Sequence, residues 1–395
     1  MDLGPRRESY FGTGKPKRRD SLGRVFVLTL LIMAGLYIIY RLYWQQDWLS
    51  PFAPTPTPTR TAASYFDQAE VLYREGKLDE AIVAYRNAYQ REPKSWRALS
   101  RLVRAMVLGN QADQAIEQYK EDLETFGSAE TYAVLCLAYN WNGQYEDALD
   151  ACVRAVSQNP DVVEAHAYLS ETYSNLANWD AAYDEAAKAL ELNKRSVEAH
   201  RALAYALEVR GDYKGAAESY QRAIELHPRL AHLYTSLALN YRVLEEYDLA
   251  IEQFQKAIEI DPNSPEAYDQ LGWTYYQMGD SNRAVVEIKR ALEVDPDFAA
   301  AYGHLGVIDY VRQRYEDAVP NFEQAIAAGK VSLEYYYELG LSYIYSYTNA
   351  LQGYTPEDLA RGCELGVPWL DKALERDPYC NPCWQGIDVC EGGGQ

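Results

Sequence analysis

A 34-residue period runs through most of the chain and constrains its fold more than any other feature of the sequence. The first eight units carry Ala at their twentieth position, and every unit but the first carries Leu at the seventh. The units begin at Ala62, Trp96, Ala129, Val163, Val197, Ala231, Pro265, Ala299 and Leu333. Small residues at the eighth position, Gly near the fifteenth and Pro at the end of several units predict two short antiparallel helices per unit. Because one helix pair cannot bury its apolar face alone, neighbouring units must stack into an all-α solenoid.

These positions resemble the tetratricopeptide repeat (TPR) family. The resemblance covers eight repeats over residues 62–332 and a ninth, degenerate repeat with an insertion over 333–378. It implies a right-handed TPR α-solenoid whose first helices line a concave groove. Within the insertion, Thr355 followed by Pro and two acids predicts a helix start. Residues 379–395 are expected to form a Cys-containing capping helix and a short disordered tail.

An apolar segment near the N-terminus predicts one transmembrane helix. Val25 to Tyr40 holds no charged residue. If the Arg41 side chain extends to the interface, the predicted helix 25–44 reaches the roughly 20 residues that span a hydrocarbon core. Alternating Pro and Thr within residues 45–61 predict an extended stalk after it. A cleaved signal peptide is the alternative, but the sequence after residue 44 lacks a convincing cleavage site.

Charge is divided unevenly about this apolar segment. The whole chain carries a net charge of −20, whereas residues 1–24 carry +4 and residues 45–395 carry −25. The positive-inside rule therefore predicts a single-pass membrane protein with a basic cytoplasmic tail at 1–24. The repeat domain would then lie outside the cytoplasm, in a bacterial envelope. Its acidic balance argues against nucleic acid as a partner, because phosphate binding needs basic surface.

No catalytic constellation stands out in the sequence. The five His residues show no helical metal spacing around a Glu, and the chain has no phosphate-binding glycine loop and no Gly-x-Ser-x-Gly. Its many carboxylates scatter over helix faces that the repeat pattern leaves exposed. We therefore expect a protein that is not an enzyme, has no small-molecule substrate and needs no cofactor, with zinc at the cysteines as the one exception considered.

Six cysteines are candidates for disulfides or metal binding. Cys136 and Cys152 hold positions eight and twenty-four of one unit, which face each other across the helix pair. A disulfide is therefore feasible there, and two buried thiols are the alternative. The other four have the spacing C-x16-C-x2-C-x6-C and favour two disulfides in an oxidising compartment, with a structural zinc site or free thiols as alternatives. They are Cys363, Cys380, Cys383 and Cys390.

The TPR resemblance implies a binding groove lined by positions two, five, nine, twelve and thirteen of each unit. Aromatic residues there are candidate anchors for a partner peptide or helix, since aromatic side chains are enriched at binding hot spots. The candidates are Trp141, Tyr205, Trp273, Tyr276, Tyr310, Tyr337 and Tyr345. Packing against the insertion at 347–360 is the competing explanation. Glutamates at position two would favour basic ligands, although acids in a first helical turn also complement the helix dipole.

Three functional hypotheses follow from these features. The first is a non-enzymatic, membrane-tethered scaffold for protein–protein interactions outside the cytoplasm. The second is a cytoplasm-facing adaptor whose C-terminal cysteines hold zinc, and the third is an envelope protein that binds glycans on its groove aromatics. TPR domains that bind the carboxylate ends of chaperones use Asn at position nine, and no unit here has Asn at that position. A chaperone clamp is therefore not expected.

Overall fold

The computed structural model describes residues 21–44, 60–329, 332–348 and 354–392. It divides into two compact units, Met1–Thr59 and Arg60–Gln395. The predicted basic tail up to residue 20 and the stalk up to residue 59 lie outside the described residues, as do part of the insertion and the last three residues. Each compact unit is described by itself.

The described part of the first unit is a single helix, α1 (Ser21–Trp44). Its side chains from Val25 to Tyr40 are exposed to solvent, apart from partly covered Gly35. The stretch Gly23–Arg41 is 19 residues long with a mean hydropathy of 1.9, and none of it is buried within the protein. By length and composition this helix is able to cross a membrane, a property that N-terminal signal sequences share.

The second unit contains only helices in the residues that the structure describes, arranged as nine antiparallel pairs and a final single helix. The first helices of the pairs are α2 (Ala62–Arg74), α4 (Trp96–Leu108), α6 (Ala129–Trp141), α8 (Val163–Asn175), α10 (Val197–Val209), α12 (Ala231–Val243), α14 (Pro265–Gln277), α16 (Ala299–Val311) and α18 (Leu333–Tyr347). The second helices are α3 (Leu78–Arg91), α5 (Ala112–Phe126), α7 (Tyr145–Gln158), α9 (Trp179–Leu192), α11 (Tyr213–Leu226), α13 (Tyr247–Ile260), α15 (Ser281–Val294), α17 (Tyr315–Ala328) and α19 (Pro356–Arg376). The single helix is α20 (Asn381–Gly392).

Each first helix begins at the residue where the sequence repeat begins, and the repeat positions explain how the two helices of a pair meet. The Ala at position twenty is fully buried in all eight units that carry it. At position eight, a β-carbon added to Gly306 would lie 2.7 Å from the ring of Phe322, at position twenty-four on α17. Close approach of the two helices therefore depends on a small residue on one of them. Stacked pairs of this kind form the all-α solenoid that the sequence predicts.

The turn between the two helices has the same backbone conformation in the first eight repeats. Gly143, at position fifteen, has a φ of +73° in the left-handed region. Four units keep this conformation without Gly, at Asn110, Ala177, Glu245 and Gln313. A left-handed residue with a side chain costs about 1 kcal/mol, so packing of the helix pairs determines this turn more than its own sequence does.

Contacts between distant repeats close the N-terminal half of the solenoid. The guanidinium of Arg104 on α4 forms an ion pair with Glu198 on α10, three repeats further along. The ring of Tyr73 on α2 lies edge-on to His227, which follows α11, with their centroids 5.3 Å apart. The first helices pack closely upon each other from α4 to α10, whereas those from α12 to α18 pack loosely. The concave side is consequently filled at the N-terminal end and wider at the C-terminal end.

The C-terminal end is built around a longer helix. Thr355 caps α19 and forms a reciprocal capping box with Asp358, as the sequence predicts for the helix start in the insertion. In the part of the insertion that the structure describes there is no separate helix, because α19 runs for 21 residues from this cap to the end of the ninth repeat. The single helix α20 then packs on both α18 and α19 and covers the open end of the array.

Candidate functional site

The seven aromatic residues predicted to line the groove fall into two separate groups. Trp141 and Tyr205 line a cavity of about 220 Å³ in the closed N-terminal half, together with Arg201, Glu171 and His232. The remaining five lie on α14, α16 and α18 in the wider C-terminal half: Trp273, Tyr276, Tyr310, Tyr337 and Tyr345. All seven are partly buried. The two groups therefore belong to different environments and need separate descriptions.

Buried charges in the N-terminal cavity are matched to one another. The Arg201 Nη2 atom lies 2.7 Å from Glu171 Oε1, and both side chains are buried. The same guanidinium lies over the ring of Trp141, 5.6 Å from its centroid. Burial raises the pKa of Glu171, which the charge of Arg201 opposes. Burial, assisted by Arg201, holds the pKa of His232 well below its usual range. Groups that a ligand would use here already bind each other.

A second cavity of about 210 Å³ lies between α4, α6 and α8. Arg101 and Arg104 line it on one side, and Glu130 and Glu164 line it on the other. Arg104 is committed to its ion pair with Glu198. The two glutamates hold position two of their units, where the sequence suggested that acids would attract basic ligands. In this cavity they instead face arginines of the chain itself.

The C-terminal half of the groove holds a stack of three rings. Trp273 on α14 stacks on Tyr276 with centroids 4.8 Å apart, and its other stacking partner is His304 on α16, at 4.2 Å. The His304 Nδ1 atom lies 2.8 Å from Oδ1 of Asp269, a fully buried carboxylate on α14. This hydrogen bond fixes the imidazole, and the imidazole in turn fixes the indole plane. Trp273 is thus a half-buried ring held in one orientation.

Further along the groove lie several tyrosines and one partly buried glutamate, Glu338. Tyr315 at the start of α17 bridges two groove residues, with its ring centroid 5.6 Å from that of Tyr310 and 5.2 Å from that of Tyr345. Burial raises the pKa of Tyr310, and the charges of neighbouring groups, among them Glu338 on α18, raise it further. Burial and, after it, the charge of Glu338 also raise the pKa of Tyr276 and of Tyr337.

Glu338 is a partly buried acid that forms no ion pair with any residue that the structure describes. Its Oε2 atom is buried and has no hydrogen-bond partner in the part of the chain that the structure describes. Burial, together with the charge of Glu334 one turn earlier, raises its pKa from 4.5 to about 7. The sequence analysis missed Glu338 because it holds position six, which is not a groove position of the TPR family. His304 holds the same position one repeat earlier, so a polar residue at position six is the signal that could have drawn attention to it.

All six cysteines are paired in disulfides. Cys136 bonds to Cys152, so that this repeat joins positions eight and twenty-four covalently where other repeats place a small residue against a large one. At the C-terminal end, one bond joins α19 to α20 and the other lies within the Cys-x-x-Cys segment. These two pairs are Cys363–Cys390 and Cys380–Cys383. Among the described residues, no group of three or more His, Cys, Asp or Glu side chains has the arrangement of a metal site.

Comparisons of the sequence with protein families give one consistent result. Four family models described as TPR or tetratricopeptide repeats match residues 72–133, 197–230, 240–279 and 270–328. The chain belongs to the tetratricopeptide repeat family. The repeats predicted from the 34-residue period are therefore confirmed as TPRs. A comparison with curated proteins finds no match.

Solved structures include several TPR proteins that resemble this TPR chain. The MamA structure is 30% identical in sequence over 41% of this chain and 94% of its own, with a TM-score of 0.35. The structure of the Cut9–Hcn1 hetero-tetramer of the APC/C is 14% identical, over 83% of this chain and 76% of its own, with a TM-score of 0.54. YrrB, described as a TPR protein with an unusual peptide-binding site, is 23% identical over 48% of this chain and 95% of its own, with a TM-score of 0.34. The second of these likenesses shows the solenoid fold across most of the chain.

Proposed function

We propose that this chain is a non-enzymatic scaffold that binds a peptide or helix of a partner protein in the C-terminal half of its concave groove. The observation that carries the proposal is the Trp273 ring. It is half-buried, stacks with both Tyr276 and His304, and is held in place by the hydrogen bond between His304 and Asp269. A packing residue does not need such support at a surface, whereas a binding anchor gains affinity from being held in place. The TPR family membership supports protein binding as the general role.

The proposal includes a membrane tether. The length and apolar composition of α1 support a span, and the basic residues before it support an N-terminus in the cytoplasm. The three disulfides support a repeat domain outside the cytoplasm, because disulfides persist in oxidising compartments. With its four C-terminal cysteines paired, the chain offers no thiolate for the zinc site of the cytoplasm-facing alternative.

The topology is tested by reporter fusions placed after Gln395 of the full chain. A reporter active only outside the cytoplasm should give a signal, and its cytoplasm-active counterpart should not. Fractionation after carbonate extraction should leave the protein in the membrane pellet. The opposite reporter pattern would contradict the proposed orientation, and release of the protein by carbonate would contradict the tether.

The binding site is tested by photo-crosslinking in intact membranes. A photoreactive amino acid at Tyr276 should give a discrete crosslinked product, and Trp273→Ala should abolish that product because it removes the ring beside it. The control carries the same photoreactive group at Trp179, which is 50% exposed on the second helix α9. Equal products from both positions, or a product that persists in Trp273→Ala, would show that the groove aromatics are not the binding surface.

A further inference from the structure

We propose that the C-terminal groove recognises a peptide segment by binding one of its Lys or Arg side chains against Glu338. This proposal rests on the proposed function and specifies the chemical class of the partner. One oxygen of the Glu338 carboxylate is buried and has no hydrogen-bond partner among the described residues. After burial, the charge of Glu338 is a cause of the raised pKa of tyrosines on three helices, Tyr276 on α14, Tyr310 on α16 and Tyr337 on α18. A carboxylate among aromatic rings is the arrangement that binds an organic cation, since the rings contribute cation–π attraction and the carboxylate supplies the counter-charge.

The cations near this region have other partners. Arg312 donates to Asn282 over 3.0 Å, and Arg314 forms an ion pair with Asp309. The imidazole of His304 is bound to Asp269. Among the described residues, no Lys, Arg or His forms an ion pair with Glu338, and one oxygen of its carboxylate is buried without a hydrogen bond. An unpaired acid in such a position is a strong acceptor for an incoming donor.

The closed N-terminal half of the same solenoid shows how the chain treats buried acids elsewhere. Glu171 is paired with Arg201, and Glu198 with Arg104. Each of these arginines also lies close to an aromatic ring, at 5.6 Å from the centroids of Trp141 and Tyr73 respectively. Carboxylate, arginine and aromatic ring thus form the recurrent concave-face motif of this protein. At Glu338 the carboxylate is present, and no arginine among the described residues forms an ion pair with it.

Charge and shape both favour a cationic side chain over other ligands. Residues 45–395 carry a net charge of −25, which steers basic segments toward the domain and repels anionic ones. Glu334, one turn before Glu338, is exposed and adds a second negative charge at the mouth of this region. The stacked face of Trp273 and Tyr276 provides apolar surface for the residues that flank the cation. The expected partner is therefore an extended peptide with a Lys or Arg between apolar residues.

The test selects peptides from a random dodecapeptide display library on the full oxidised chain in detergent micelles. Peptides enriched on the wild-type protein should contain Lys or Arg beside apolar residues. A synthetic peptide from this pool should lose at least tenfold in affinity when its cation is replaced by citrulline or acetyl-lysine. Glu338→Gln should cause a similar loss, and the two changes together should cost little more than either alone, as for groups that bind each other.

Controls separate this inference from the proposed function. Glu334→Gln, a change of an exposed acid on the same helix, should keep most of the affinity, and circular dichroism should show unchanged helicity in each variant. If Glu338→Gln binds the peptides unchanged, the inference is wrong. Peptides that need Trp273 but no cation would refute the inference alone, and peptides that bind Trp273→Ala unchanged would refute the groove function as well.

Discussion

Replacement of Glu338 by Gln should stabilise the C-terminal repeats at neutral and alkaline pH. The pKa of Glu338 is raised from 4.5 to about 7, chiefly by burial and secondarily by the charge of Glu334. A folded-state pKa above the unfolded value means that the folded chain binds the proton more tightly. The free energy of unfolding therefore falls as the pH rises from about 4.5 to about 7, and the penalty is complete above that range.

The size of this effect follows from the shift in pKa. Each unit of pKa corresponds to about 1.4 kcal/mol, so the ionised carboxylate costs at most about 3 kcal/mol. Relaxation and partial hydration of the side chain reduce this figure, so that an increase of about 1 to 3 kcal/mol is expected for Glu338→Gln at pH 8. At pH 4.5 the acid is protonated in the folded chain and about half protonated in the unfolded chain, so the difference between the variant and the wild type should be small.

Urea denaturation of the oxidised chain at pH 4.5, 6, 7 and 8 measures this difference. Hydrogen exchange of the α18 amides is the local companion measurement, because stability in repeat arrays varies along the chain. Glu334→Gln is the matched control: removing its charge should lower the pKa of Glu338 and give a smaller gain than Glu338→Gln at pH 7. A difference between Glu338→Gln and the wild type that is the same at every pH would refute the reasoning, because a burial penalty on an ionised group must disappear when the group is protonated.

Three further changes test the packing of the array by urea denaturation. Gly306→Ala should lower the free energy of unfolding by about 1–3 kcal/mol, because its new methyl group would meet an aromatic ring on α17 at 2.7 Å. Gly143→Ala is the control: its methyl group would have no neighbour within 4 Å, so it measures the cost of a left-handed backbone without a steric clash. Replacing the bonded pair Cys136 and Cys152 by Ala should lower the free energy of unfolding by about 3 kcal/mol, as expected for a loop closed over a separation of 16 residues. If the variant remains equally less stable than the wild type after both are reduced, the loss comes from packing and not from the disulfide. Arg104→Met should cost about 3–5 kcal/mol by leaving Glu198 buried and unpaired, and adding Glu198→Met should recover most of the loss.

The repeat architecture could be predicted because it depends on neighbours in the sequence. The same small and large residues recur every 34 positions, so the contacts expected within one helix pair apply to the other pairs as well. The pairing of Cys136 with Cys152 follows from the same logic, since positions eight and twenty-four face each other within one repeat. The capping box at Thr355 is more local still.

The division of the groove into a closed and an open half could not be predicted in this way. The ion pair between Arg104 and Glu198 joins residues 94 positions apart, and their meeting depends on rotations accumulated over three repeats. A small change in the angle of each repeat would separate them. For the same reason the sequence grouped Trp141 with Trp273 as equivalent groove aromatics. Glu338 was overlooked because it holds position six, which is not a groove position of the TPR family.

The two halves of the groove differ in what a ligand must do to enter them. In the N-terminal half, a ligand that displaced the arginine of a buried pair would leave a carboxylate uncompensated, at a cost of about 3–5 kcal/mol. In the C-terminal half, a cationic ligand would relieve the burial penalty that Glu338 already carries in the free protein. A buried carboxylate thus opposes the binding of a ligand in the N-terminal half of the groove and favours the binding of a cationic ligand in the C-terminal half. This difference, rather than the number of aromatic residues, is the reason for proposing a partner site at α14, α16 and α18.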